Sequence, residues 1–88
     1  MTNLVGGDLA QMQQLEAQLT AASTRVVELQ QQVDRSLQHT AWTGPAAERF
    51  REDWSGRFST ALRQLHDALR DNAHVVAQRR QAIETATH

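Results

Sequence analysis

One interruption decides what this chain can fold into: Trp42-Thr43-Gly44 breaks two long stretches of helix-type sequence, and Pro45-Ala46-Ala47-Glu48 restarts the helical pattern at once. Gly44 and Pro45 cannot continue an existing helix, and the proline also restricts the residue before it. At the first turn of a new helix, by contrast, the missing amide hydrogen of Pro45 costs nothing, with Thr43 or Gly44 as its cap. The break therefore ends one helix and begins another, and Trp42 is placed to pack where the chain reverses direction.

The first helix is expected over residues 8–39. Asp8, followed three residues later by Gln11, resembles a capping box, after the flexible lead-in of Gly6-Gly7. Its apolar positions, Leu9, Met12, Leu15, Leu19, Ala22, Val26, Leu29, Val33 and Leu37, are three or four apart, close to the coiled-coil period. Glutamine is abundant here, but the Leu and Val stripe runs through Gln30-Gln31-Gln32 without losing phase. The turn is expected over 40–45 and a second helix over 46–84, with Ala47, Phe50, Trp54, Phe58, Ala61 or Leu62, Leu65, Leu69, Val76 and Ile83 on its apolar side. Gly56, between Trp54 and Phe58, predicts either a close helix approach, a slight bend or a tolerated surface position. Asn72 falls on the apolar stripe, where a single polar residue can set register.

The fold class that follows is all-α: one antiparallel helix-turn-helix hairpin. Two such helices would be rods of about 48 and 58 Å, sharing only a narrow seam. The stripes are wider than that seam, since Val27 adjoins Val26, Leu62 adjoins Ala61 and Val75 adjoins Val76. Ordering each residue costs about 1 to 2 kcal/mol, which a half-wet apolar stripe does not offset. Pairing of two hairpins into a four-helix bundle resolves the conflict. The expected hairpin or dimer core is Leu15, Leu19, Val26, Leu29, Val33, Leu37, Phe50, Trp54, Phe58, Leu62, Leu65, Leu69 and Val76.

Composition removes several function classes. With 88 residues and 40% apolar content there is room for one small domain. Cysteine is absent, so disulfides, thiolate nucleophiles and cysteine metal cages are excluded. All nine basic residues are arginine, set among ten acids with the signs interleaved, which argues against nucleic acid as a partner. The first seven residues have no basic start and only Leu4 and Val5 as adjacent apolar residues, so no cleavable signal peptide is expected, and no apolar run reaches the length of a membrane span. His66 and His74 are eight apart, about 12 Å along a helix and too far for one ion, while His39 and His88 lie elsewhere; no metal site or cofactor is expected. Two straight helices offer neither a pocket nor an oxyanion cradle, so no enzyme is expected.

The run Trp42-x-Gly44-x-Ala46-Ala47-x-x-Phe50-x-x-x-Trp54, after about forty residues of amphipathic helix, resembles the WXG family of small type VII secretion substrates, to which the actinobacterial early secretory antigenic target proteins belong. The resemblance covers nearly the whole chain. It implies a helical hairpin paired with itself or with a paralogous partner in a four-helix bundle, export without a cleaved signal, and delivery to a membrane secretion ATPase. Family members combine the W-x-G turn of one subunit with a C-terminal Tyr-x-x-x-Asp/Glu signal of the other. Trp42 and Gly44 match the turn. At the signal position this chain offers Ile83-x-x-x-Thr87, keeping an apolar anchor without the carboxylate, which by the family's logic makes it the subunit that contributes the turn. Two rival expectations stand beside this one: an amphipathic protein that opens onto a membrane surface, which mixed acidic and basic polar faces disfavour, and a cytoplasmic coiled-coil adapter in which the Trp-Thr-Gly turn is incidental.

Overall fold

The computed structural model describes residues 8–87, and these are helical apart from the segment between the two long arms. The Gly6-Gly7 lead-in and His88 lie outside the described residues. Helix α1 spans Leu9–His39, capped by Asp8, whose carboxylate accepts a hydrogen bond from the Gln11 amide at 2.9 Å. That bond satisfies one of the free donors of the first turn.

At the far end Thr40 leaves the helix with extended backbone, φ −100° and ψ 126°. Gly44 then adopts φ 110° and ψ 174°, a combination that is essentially reserved for glycine. Pro45 follows as the first residue of α2, Pro45–Asp53. The second arm is not the uninterrupted helix that its spacing predicts. One π turn, Trp54–Phe58, separates α2 from α3, Ser59–Thr87, which continues three residues beyond the expected end at 84.

α1 and α3 lie side by side and run in opposite directions, tied together near their free ends by Arg80, whose Nη2 is 3.1 Å from Glu16 Oε1. The residues that face inward on α1 are Leu9, Met12, Glu16, Leu19, Ser23, Val26, Gln30, Val33 and Leu37. Those on α3 are Ser59, Leu62, His66, Leu69, Ala73, Val76, Arg80 and Ile83. Both series alternate intervals of three and four, the coiled-coil period. Stepping seven residues along each helix from the Glu16–Arg80 pair brings Ser23 level with Ala73, both buried. Small side chains at that level let the two backbones approach closely, and the Ser23 hydroxyl is satisfied by donating to Thr20 O at 2.7 Å.

The seam is thus partly polar: six of its seventeen inward positions are Glu16, Ser23, Gln30, Ser59, His66 and Arg80, and the others are apolar. The shape matches this thin contact. The radius of gyration is 19.2 Å, where a compact chain of this length has about 12 Å, and the extents are 63 × 18 × 15 Å. Among the described residues no large side chain is fully buried; the buried ones are Ala47, Ala73, Ser23 and Ser59.

Candidate interaction surface

The turn end is built by Arg51. Its guanidinium donates to Trp42 O at 2.7 Å, Leu37 O at 3.3 Å and Thr40 O at 3.4 Å. Leu37 O belongs to the last turn of α1, where carbonyls have no helical partner and a cation opposes the helix dipole favourably. The same guanidinium lies 5.9 Å from the Trp42 ring centroid. One arginine of the second arm therefore closes the first helix and shapes the loop that follows it.

Trp42 is held on the outside of this clamp, 41% exposed, rather than plugged between the helices. Its ring is tilted against Phe50 at 6.1 Å, and Phe50 stacks on Trp54 at 6.3 Å. Trp54 is half-buried, and its indole Nε1–H donates to Asp34 Oδ1 at 2.7 Å, which satisfies the polar end of an otherwise apolar side chain. A three-ring ladder thus leads from the exposed loop to the seam.

The expected core residues fall into two groups. Leu19, Val26, Val33, Leu37, Trp54, Leu62, Leu69 and Val76 are half-buried along the seam. Leu15, Leu29, Phe50, Phe58 and Leu65 are 36% to 49% exposed. On α1 the second group precedes the seam positions Glu16 and Gln30, with Ala22 preceding Ser23 between them; on the other arm it precedes Arg51, Ser59 and His66. In helices of opposite direction such positions share one side of the seam. They form an outer face of Leu15, Ala22, Leu29, Phe50, Phe58 and Leu65, continued on α3 by Asn72 and Arg79.

The other side of the seam is chemically different. Gln13, Thr20, Val27 and Asp34 on α1 lie beside Arg63, Arg70, Ala77 and Glu84 on α3, and a shallow hollow there is lined by Thr20, Thr24, Glu28, His66 and Arg70 among others. One long side of the molecule is mainly apolar and the other mainly polar, with Val27 exposed among its charged and hydroxyl side chains.

Other expected positions are placed as follows. Gly44 lies in the loop beside the Arg51 clamp. Gly56 is central to the π turn, with nothing within 4 Å of where a Cβ would stand, so no helix of this chain approaches it closely. Asn72 is exposed and its Nδ2 donates to Ala68 O at 2.8 Å, which keeps its amide on its own helix. Ile83 is half-buried on the seam, and Thr87 is the last residue of α3, its side chain outside the described set. Among the described residues the ion pairs at i to i+4 spacing are Asp53–Arg57 and Arg80–Glu84. His66 and His74 share the rim of a hollow with Asp67, Arg70 and Asp71, and no group of three or more candidate metal ligands comes together among the described residues. No helix among the described residues is long and apolar enough to cross a membrane.

Sequence reading missed Arg51, Asp34, Glu16 and Arg80. A signal for Arg51 existed: Ala47, Arg51 and Trp54 are spaced four and three, so an arginine sits on the inner stripe nine residues after Trp42. No protein-family model matches the chain, and neither a curated protein nor a solved structure matches it.

Proposed function

We propose that this chain is a WXG-type, secretion-associated protein that acts by protein-protein interaction, its two arms forming a hairpin that pairs through the outer face with a second copy of itself in a four-helix bundle. The observation that carries the pairing is the row of Leu15, Leu29, Phe50, Phe58 and Leu65, each more than a third exposed, beside a seam in which no large side chain among the described residues is fully buried. Burying apolar area returns about 25 cal/mol per Å², and monomers rarely leave long apolar surfaces open to water.

Two features support a second copy as the occupant. The outer face is nearly free of charge between Leu15 and the loop, its charged members Asp8 and Arg79 lying towards the opposite end, so two copies meet along the apolar stretch without burying like charges. From Leu15 to the loop the apolar row is about 40 Å long, and across the 18 Å width of the molecule it projects roughly 700 Å², close to the approximately 800 Å² per partner of a standard stable interface. The link to type VII secretion rests on the Trp42-x-Gly44 turn and the aromatic spacing after it, by resemblance. On that reading the pair is exported without a cleaved signal, the exposed Trp42 and its clamp form the turn half of the address read by the secretion ATPase, and Ile83 and Thr87 stand where the other half is degenerate.

Size-exclusion chromatography with light scattering on the purified chain tests the pairing. A dimer mass at micromolar concentration is expected. A well-folded monomer there refutes pairing with itself, and adding a second W-x-G chain with a Tyr-x-x-x-Asp/Glu ending then distinguishes a paralogous partner from none. Flotation with liposomes leaves the protein in the heavy fraction; recovery with the vesicles favours a membrane-surface role instead.

A further inference from the structure

The π turn has no purpose visible within its own residues. The Ser59 amide reaches back five residues to Trp54 O, and Gly56 at its centre touches nothing within 4 Å of a Cβ position and has no positive φ. Such turns are one-residue insertions into an α-helix and cluster at functional sites.

The phase of the second arm accounts for it. Before the turn the inward residues are Ala47, Arg51 and Trp54; after it they are Ser59, Leu62 and His66. The intervals are four and three, then five, then three and four. The single five-residue step falls on the π turn. On the outer face, Phe50 and Phe58 are eight apart where the repeat elsewhere is seven. Eight residues of unbroken α-helix would turn Phe50 about 80° away from Phe58. With the extra residue absorbed, both rings precede seam positions and face the same way as Leu65.

We propose that the π turn is a register insertion serving the interaction surface: it brings Phe50, and Trp42 tilted against it, into one row with Phe58 and Leu65, so that an apolar helix of a second copy of this chain meets an unbroken row from the loop to the middle of α3. This rests on the pairing reading above. Removing one residue would restore the seven-residue interval in continuous α-helix and leave Phe50 within about 20° of Phe58, whereas inserting one more residue would swing Phe50 about 100° off the row.

The test compares insertion of one alanine after Gly56 with deletion of Gly56, which restores the seven-residue interval, and with Phe50→Gln, which removes the outer ring from a side chain that is not part of the seam. Dimer dissociation constants come from dilution in analytical ultracentrifugation, with helicity followed by far-UV circular dichroism. The deletion variant should associate within about threefold of the parent, because it keeps Phe50 in phase with Phe58. Insertion and Phe50→Gln should each weaken association at least tenfold, and combining them should add little, because the insertion has already removed Phe50 from the face. Equal association of the insertion variant and the parent overturns the proposal, as does a folded deletion variant that is weakened like the insertion. If the insertion variant is unfolded, Phe50→Gln decides alone: unchanged association overturns the proposal and a tenfold loss supports it. A parent that is monomeric refutes the pairing itself, whereas a dimeric parent with an equally dimeric insertion variant refutes only the role given to the π turn.

Discussion

Arg51→Met keeps the aliphatic stem on the seam and deletes the guanidinium that closes α1. The bond to Trp42 O, at 2.7 Å, is short, while those to Leu37 O and Thr40 O, at 3.3 and 3.4 Å, are long. A charge-assisted bond contributes about 1.5–3 kcal/mol, and this site is partly exposed, so the low end applies to the short bond and a few tenths to each long one. The contact with the Trp42 ring, at 5.9 Å, adds about 0.5 kcal/mol at an exposed site. Water replaces part of this in the variant, which leaves a loss of roughly 2 kcal/mol. For a chain of this size 1 kcal/mol shifts the midpoint by about 4–8 °C, so a fall of about 10 °C is expected. The assay is thermal unfolding by far-UV circular dichroism at one fixed protein concentration, since association makes the midpoint concentration-dependent. Arg51→Lys should recover less than half of the loss, because an ammonium cannot fork across three carbonyls. A methionine variant melting within about 2 °C of the parent, or a lysine variant equal to arginine, would refute the clamp.

Gly44→Ala should destabilise by about 1–3 kcal/mol in urea titration, purely through its backbone angles of φ 110° and ψ 174°. Nothing lies within 4 Å of the added methyl, so a synthetic chain with D-alanine there should fold like the parent, and a destabilised one would refute the backbone explanation. Leu29→Asp and Leu65→Asp should each abolish the dimer in light scattering, because a carboxylate would be desolvated without a partner, whereas Gln13→Asp on the polar side should leave the mass unchanged. A double-mutant cycle on Glu16→Gln and Arg80→Met should give a coupling of about 0.5–1 kcal/mol, the pair being 29% and 18% exposed; zero coupling would show that it does not help to hold the register.

The local elements were legible because their causes are local. Asp8 caps the helix that begins at Leu9, the end of α1 at His39 falls where the apolar stripe stops, and Pro45 opens the second arm. Each of these depends on residues within one turn. The stripe itself was legible as apolar but not as two surfaces. Leu15 and Leu19 both fit a three-four spacing, yet one is exposed and the other half-buried, because a helix with a wide apolar arc can present adjacent rows to different neighbours.

The sequence by itself determined that this chain is helical, where it turns, and that it carries more apolar surface than two thin rods can hide, since propensity, capping and periodicity are properties of neighbouring residues. Only the tertiary structure decided which row of that surface meets the other arm. It decided that Arg51 reaches back over nine residues to the loop and α1, that Asp34 receives Trp54, and that a π turn brings the aromatics into line. Those outcomes depend on how two helices are rotated and slid against each other, a geometry that is set where Glu16 meets Arg80 across 64 residues of chain and that no single stretch of sequence contains.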